Sequence, residues 1–440
     1  MRRNLRSSLA VVMAALAVSL VCGVLARAAE QKPSDAIDWD YARQLNQKSQ
    51  SGATLTAEEQ TYLDRAKKAR AAKSQGPSTG GVQIQDRRFN EIRAKRQRGE
   101  KITEEERDYS ETLVERQNQE NSAQRNADFA KAHPARESTG QVPLMDLGKG
   151  TYQGEQGGLY PGGDNSPPAA HLQAGLRLAG QIVPLDRQGH PSADGRIVFC
   201  SIGMSNTTQE TRSFLKLAAA AEGINPKVTL VDCAQGAQTA AKIADPQWPY
   251  WKLVQERLAN AEVTPQQVQA IWLKEANSTP QAPFPTEAKK LQQDLVKVLH
   301  ILHDTFPNLK ITYLSSRIYG GYAASPLNPE PHAYESNFAV KWLIADQIAG
   351  KPELNYDAAK GPVRAPWLVW GPYLWADGLK GRSDSLVWKR EDLGPDGTHP
   401  SILGREKVAK LLLDFLKHDP TSRPWFVKQE QPRAAEGAGN

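Results

Sequence analysis

The chain has 440 residues, a net charge of +6 and 24 % charged residues. It is long enough for two or three domains, one of them with a large buried core. The modest positive balance, with no basic stripe interleaved with aromatics, argues against nucleic acid as a partner. Three cysteines with no cysteine–histidine spacing argue against a zinc site.

Residues 1–29 read as an export signal. Arg2, Arg3 and Arg6 form a positive head, an apolar run follows from Leu9 to Leu25, and Ala26-Arg27-Ala28 fits a small-residue cleavage site. The expected location is therefore periplasmic or extracellular, the alternative being a chain anchored by an uncleaved signal. No other long apolar run occurs, so no membrane span is expected in the mature chain.

Residues 30–133 are polar and contain an internal repeat at an offset of 47. Leu45, Lys48, Gly52, Leu55, Thr56, Glu58, Glu59 and Tyr62 match Ile92, Lys95, Gly99, Ile102, Thr103, Glu105, Glu106 and Tyr109. Each copy predicts a helix, a glycine-containing turn, and a second helix capped by Thr56 or Thr103 with Glu59 or Glu106 three residues on. The apolar stripe is thin, so the expectation is a solvated helical or partly disordered spacer; a partner-binding or envelope-contacting arm is the functional alternative. Residues 134–174 carry many Gly and Pro and read as a linker. Residues 429–440 read as a disordered tail.

From 175 to 428 apolar runs alternate with amphipathic helices. Strands are predicted at 196–202, 227–232, 269–273, 310–315 and 367–371, and helices at 208–222, 249–260, 286–304, 333–349 and 402–417. This alternation predicts right-handed βαβ units in a three-layer α/β/α sandwich around a five-stranded, mainly parallel sheet. Ligands bind beyond the carboxyl ends of the strands in such sheets, so the loops there are where chemistry is expected.

Four of those loops carry polar devices. After the first strand, Gly203 permits a turn and Ser205 stands where a strand passes into a helix. Thr207 with Glu210 reads as a capping box there, and Ser205 is either a nucleophile or part of the cap. Gly236 can set a backbone N–H beside the serine, or is a plain turn glycine. Asn277 can donate to an oxyanion, or caps a turn. Asp396 and His399, three apart in a tight loop, can form a carboxylate–imidazole pair, or are a turn residue and a solvated side chain. Glu275, Lys274 and Arg317 stand near this rim, as substrate contacts or as a structural ion pair. Trp370, Tyr373 and Trp375 offer a sugar-stacking face or belong to the core. His300, His303 and His332 read as structural or solvated. Cys200 and Cys233 read as a disulfide or as two buried thiols.

These blocks resemble those of the SGNH (GDSL-like) hydrolase superfamily over roughly the last 240 residues. Gly203-x-Ser205-Asn206 is closer to the GQSN form of sialate and xylan acetylesterases than to GDS. Gly236 corresponds to the second block, Asn277 to the third, and Asp396-x-x-His399 to the last. The third block reads Glu275-Ala276-Asn277-Ser278 where the family has G-x-N-D. Arg317-Ile318-Tyr319 and Trp370-Gly371-Pro372-Tyr373 resemble an exported bacterial group of this superfamily. The resemblance implies a flavodoxin-like fold and a serine esterase. Ser205, His399 and Asp396 would be catalytic; Ser205, Gly236 and Asn277 would form the oxyanion hole. Glu275, Arg317, Trp370 and Trp375 would contact an ester substrate, an acylated glycan among the candidates. No metal or organic cofactor is implied. The rival reading is a non-catalytic carbohydrate- or envelope-binding protein on the same fold.

Overall fold

The computed structural model describes residues 55–74, 86–98, 100 and 102–428, together with Tyr41, Ala42, Leu45 and Lys48. The expected leader (1–29) and tail (429–440) lie outside the described residues. The chain divides into two compact units, 1–85 and 86–440. No described helix is long and apolar enough to cross a membrane.

In the first unit, α1 (Ala57–Ser74) starts in the expected capping box: Thr56 N–H donates to Glu59 at 2.9 Å, and Glu59 N–H to Thr56 Oγ1 at 3.2 Å. Lys48 Nζ reaches Glu59 Oε1 at 2.8 Å, and Leu45 and Leu63 are buried.

The second unit opens with the other copy of the repeat, α2 (Arg87–Gln97) and α3 (Glu104–Arg125). The same devices recur: the Thr103–Glu106 capping box, the Lys95–Glu106 ion pair at 2.5 Å and a buried Ile92. Asp86 caps α2 and also accepts the Tyr109 hydroxyl at 2.7 Å, tying the two helices together.

This hairpin is not a spacer. Asp108, Glu111 and Glu115 of α3 pair with Lys216 and Arg212 of the α/β layer, and Arg405 lies 3.7 Å from Glu115. The contact is largely ionic, which is why a thin apolar stripe did not foretell it. The expected linker, 134–174, is also packed. It has little regular structure, a short helix Leu144–Leu147 and a hairpin of Thr151–Tyr152 with Glu155–Gln156. Yet Leu144 and Tyr160 join the main core, and Asp377 accepts from Ser138, Thr139 and Gly140. Its glycines serve close packing: a Cβ on Gly158 would stand 2.3 Å from the Gly163 backbone. The unit's boundary is therefore Asp86, well before 175.

After α4 (Ala169–Ala179), five parallel strands follow: β1 (Ile197–Gly203), β2 (Val228–Asp232), β3 (Val268–Lys274), β4 (Ile311–Ser315) and β5 (Trp367–Trp370). Their spatial order is β2-β1-β3-β4-β5, a flavodoxin-like sheet. Four helices alternate with them: α5 (Ser205–Ala219), α6 (Tyr250–Asn260), α7 (Thr286–Thr305) and α8 (His332–Ile348); α9 (Ile402–His418) closes the domain. The step from β1 to β2 runs opposite to all later steps. Right-handed crossovers then put α5 on one face with α9, and α7 with α8 on the other. β1 and β3 are buried along their whole length, as strands covered on both faces must be. The chain order reverses between β1 and β3, and a crevice opens there beyond the strand ends.

Because Leu144 has no exposed surface, Leu144→Ala is expected to lower unfolding stability by about 2–5 kcal/mol. Urea denaturation of the variant checks this; a change under about 0.5 kcal/mol, as for a free linker, would contradict the packing.

Candidate active site

β1 ends at Gly203, and α5 begins two residues later at Ser205. A Cβ on Gly203 would lie 2.3 Å from Thr207 Oγ1 and 2.4 Å from the Lys274 carbonyl, so only glycine lets this turn close against the end of β3. The capping box read at Thr207 and Glu210 does not form. Helix α5 starts earlier, at Ser205, and both side chains turn inward: Thr207 Oγ1 donates to the Lys274 carbonyl at 2.7 Å, and Glu210 takes the Lys274 ammonium at 2.5 Å. A tertiary partner on β3 outcompetes the local cap. Glu210 and Lys274 are both buried. Burial pushes the Glu210 carboxyl up and draws the Lys274 amine down to about 8, and each partner offsets part of the other's cost.

At the far end of the domain, Asp396–His399 is a tight turn. Gly397 has φ +63°, and a Cβ there would stand 1.8 Å from the Tyr322 carbonyl oxygen. Asp396 Oδ1 accepts the N–H groups of Thr398 and His399, each at 3.0 Å. Its Oδ2 lies 2.6 Å from His399 Nδ1. Burial raises this carboxyl, but the His399 ring and the two N–H groups outweigh it, so Asp396 titrates below the usual carboxylate range. Asn206 Nδ2 and Arg317 Nη2 both donate to the Thr398 carbonyl, at 3.1 and 3.4 Å, and hold the turn over α5. His399 Nε2 then stands 2.7 Å from Ser205 Oγ. Serine, imidazole and carboxylate thus form one hydrogen-bonded chain at the carboxyl edge of the sheet.

Gly236 lies against the serine, since a Cβ on it would be 3.7 Å from Ser205 Cβ. Gly236 and Ser205, the latter at the amino end of α5, line the same cavity. Asn277 lines the same cavity but is partly committed: its Oδ1 accepts from Ala241 N–H at 2.9 Å and its Nδ2 donates to Asp294 at 2.8 Å. One N–H of its amide remains. Asn328, a residue that no sequence signal picked out, also lines the cavity and donates to the Asn277 carbonyl at 3.2 Å.

The cavity above the serine has a volume of about 820 Å³, and α2 and α3 form one wall of it. Of the substrate contacts expected from sequence, Arg317 lines it. Glu275 is buried beneath the rim, and burial pushes its carboxyl well up. Trp370 and Trp375 are not a stacking face. Both are buried, with indole N–H groups donating to the Leu159 carbonyl and to Glu330. Tyr373 accepts from Leu144 N–H in the same core. His300 Nε2 donates to the Glu353 backbone carbonyl at 2.7 Å, and His332 Nδ1 lies 3.2 Å from Glu335. Cys200 and Cys233 are buried free thiols, and no metal-holding cluster occurs among the described residues.

No protein-family model and no curated protein matches this chain, so the functional reading rests on the site's own chemistry.

Lys274→Met is expected to leave Glu210 buried without a counter-charge and to cost about 3–5 kcal/mol. Adding Glu210→Leu should recover most of that loss. Denaturant unfolding of the two variants checks the pair; additive losses would contradict it.

Proposed function

We propose that this chain is an exported serine esterase of SGNH type, removing an acyl group, with carbohydrate O-acetyl groups the favoured case. The observation that carries it is the Ser205–His399–Asp396 hydrogen-bond chain, 2.7 and 2.6 Å long, opening on a cavity beside Gly236. The leader-like composition of residues 1–29 supports export.

The reaction runs in two halves. Ser205 Oγ attacks the ester carbonyl carbon while His399 Nε2 takes the hydroxyl proton. The negative charge passes to the carbonyl oxygen, which the N–H groups of Ser205 and Gly236 and the remaining N–H of Asn277 would receive. The intermediate collapses, the C–O bond to the alcohol breaks, and His399 returns its proton to the leaving oxygen. Water, deprotonated by His399, then attacks the acyl-enzyme and releases the acid. Asp396 keeps the proton on His399 Nδ1 and stabilises the imidazolium. The rival, a binding protein on the same fold, draws support from the prior commitments of the Asn277 side chain.

A fluorophosphonate probe is expected to label Ser205, and Ser205→Ala should abolish both labelling and Ser205-dependent release of 4-nitrophenol from its acetate. Asp396→Asn should lower kcat by about 10⁴-fold. Equal labelling of wild type and Ser205→Ala would end the esterase reading. Asn277→Ala is expected to reduce kcat by about 100-fold or more with little change in KM; steady-state kinetics on the same ester would show an unchanged kcat if Asn277 only caps the 240–243 helix.

A further inference from the structure

The repeat hairpin does more than close one side of the cavity. Seven Lys and Arg side chains line this space against three Asp and Glu. The three acids are already engaged: Glu111 and Glu115 with Arg212, and Asp396 with His399. Arg93 and Arg96 on α2 and Arg125 in the last turn of α3 are exposed along the wall and take part in no ion pair found among the described residues. Across the space, Lys242 donates to the Ala237 carbonyl at 2.7 Å and stands 6.0 Å over the Trp248 ring, with no carboxylate partner found among the described residues. The amino end of α5, beneath Ser205, adds the positive end of a helix dipole to the same field.

The internal repeat supplies a comparison within the chain. Both copies keep the residues that build a hairpin, Lys48 and Glu59 in one and Lys95 and Glu106 in the other. At the positions of Arg93 and Arg96, the first copy has Asn46 and Ser49. The hairpin does not need these arginines; they occur in the copy that faces Ser205.

We propose that this wall is the specificity element of the site and selects an anionic ester: an acyl group carried on an acidic glycan, whose fixed carboxylates lie along α2 and α3 while the ester reaches Ser205. This rests on the esterase reading above for the reaction, and on the cavity's charge for the substrate class. Arg93, Arg96 and Arg125 bind the polymer and do not touch the reacting atoms. A concave site lined by one sign of charge concentrates ligands of the other sign and loses that advantage as salt rises.

The test compares acetate release from acetylated polygalacturonate and from acetylated xylan by the full chain. At low salt, kcat/KM is expected to favour the acidic polymer by about 10-fold or more, with the preference shrinking at about 0.5 M NaCl. The triple variant R93E/R96E/R125E should reverse or erase the ratio through KM, and R93K/R96K/R125K should retain most of it. Equal rates on the two polymers, or a preference unchanged in the Glu variant, would overturn the proposal. A second arm uses Ser205→Ala protein in affinity electrophoresis through polygalacturonate and through dextran. Retardation by the acidic polymer alone, lost in the Glu variant, is expected; equal mobility in both gels would overturn the charge selection. Should 4-nitrophenyl acetate show no Ser205-dependent turnover, the esterase reading fails while the electrophoresis still decides what the wall binds.

Discussion

The hydrogen bond from Ser205 to His399 Nε2, at 2.7 Å, joins the first crossover of the sheet to the loop before the last helix. Its partners lie 194 residues apart in sequence, so almost every element between them has to be in register for it to form. β1 must end at Gly203, α5 must start at once, and α9 must return to pack on α5. The Asp396–His399 turn must then hang from the amino end of α9 with its imidazole inward. The Thr398 carbonyl, held by Asn206 from α5 and Arg317 from the end of β4, is the joint between these parts. The fold thus places the site through backbone turns that tolerate little change, Gly203 and Gly397 foremost, rather than through a flexible loop.

Beneath that joint runs a layer of buried charge. Lys274 at the end of β3 pairs with Glu210 of α5, burial pushes the carboxyl of Glu275 beside it well up, and Arg317 is buried with its Nε unpartnered. Burying ions in this way is costly, and an apolar layer would be at least as stable. What it gives is fixed orientation: α5 is pinned to β3 at the turn that carries Ser205, by Thr207 through the Lys274 carbonyl and by Glu210 through its ammonium. A serine at the first residue of a helix that must meet an imidazole from another loop needs its helix held in rotation as well as in position, and directional contacts supply that where aliphatic packing does not.

The sequence was informative where burial was apolar and periodic. The five strands are short runs rich in Ile, Val, Leu, Phe and Trp, all but the half-buried edge strand β2 buried along their length, and their positions follow from that pattern; so do the loops that carry Ser205, Gly236, Asn277 and Asp396 with His399. It misled where polar residues have tertiary partners. Thr207 and Glu210 satisfy the spacing of a local cap, and only the position of Lys274 across the crevice shows that they are used otherwise. Trp370 and Trp375 carry the same side chain whether they face a sugar or Leu159 and Glu330, so residue type could not decide. Residues 134–174 do have a linker's composition, but their glycines permit backbone contacts too close for any Cβ, which composition does not reveal.

The repeat shows most clearly why the packing of the second hairpin is not legible in hydrophobic pattern alone. Making a hairpin and docking a hairpin use different residues. The first is done by Thr56 or Thr103 with its glutamate, by the Lys–Glu pair and by one buried Leu or Ile, and both copies have these. Docking of the second copy is done by Asp108, Glu111 and Glu115 on Lys216, Arg212 and Arg405. The corresponding positions of the first copy hold Thr61, Asp64 and Lys68. A lysine in place of Glu115 would face Arg212 and Arg405, where like charges at close range repel instead of pairing. Hydrophobic periodicity treats the two copies alike because the difference between them is one of charge. The sign pattern along α3, read against the basic face of α5, is what seats this hairpin beside Ser205.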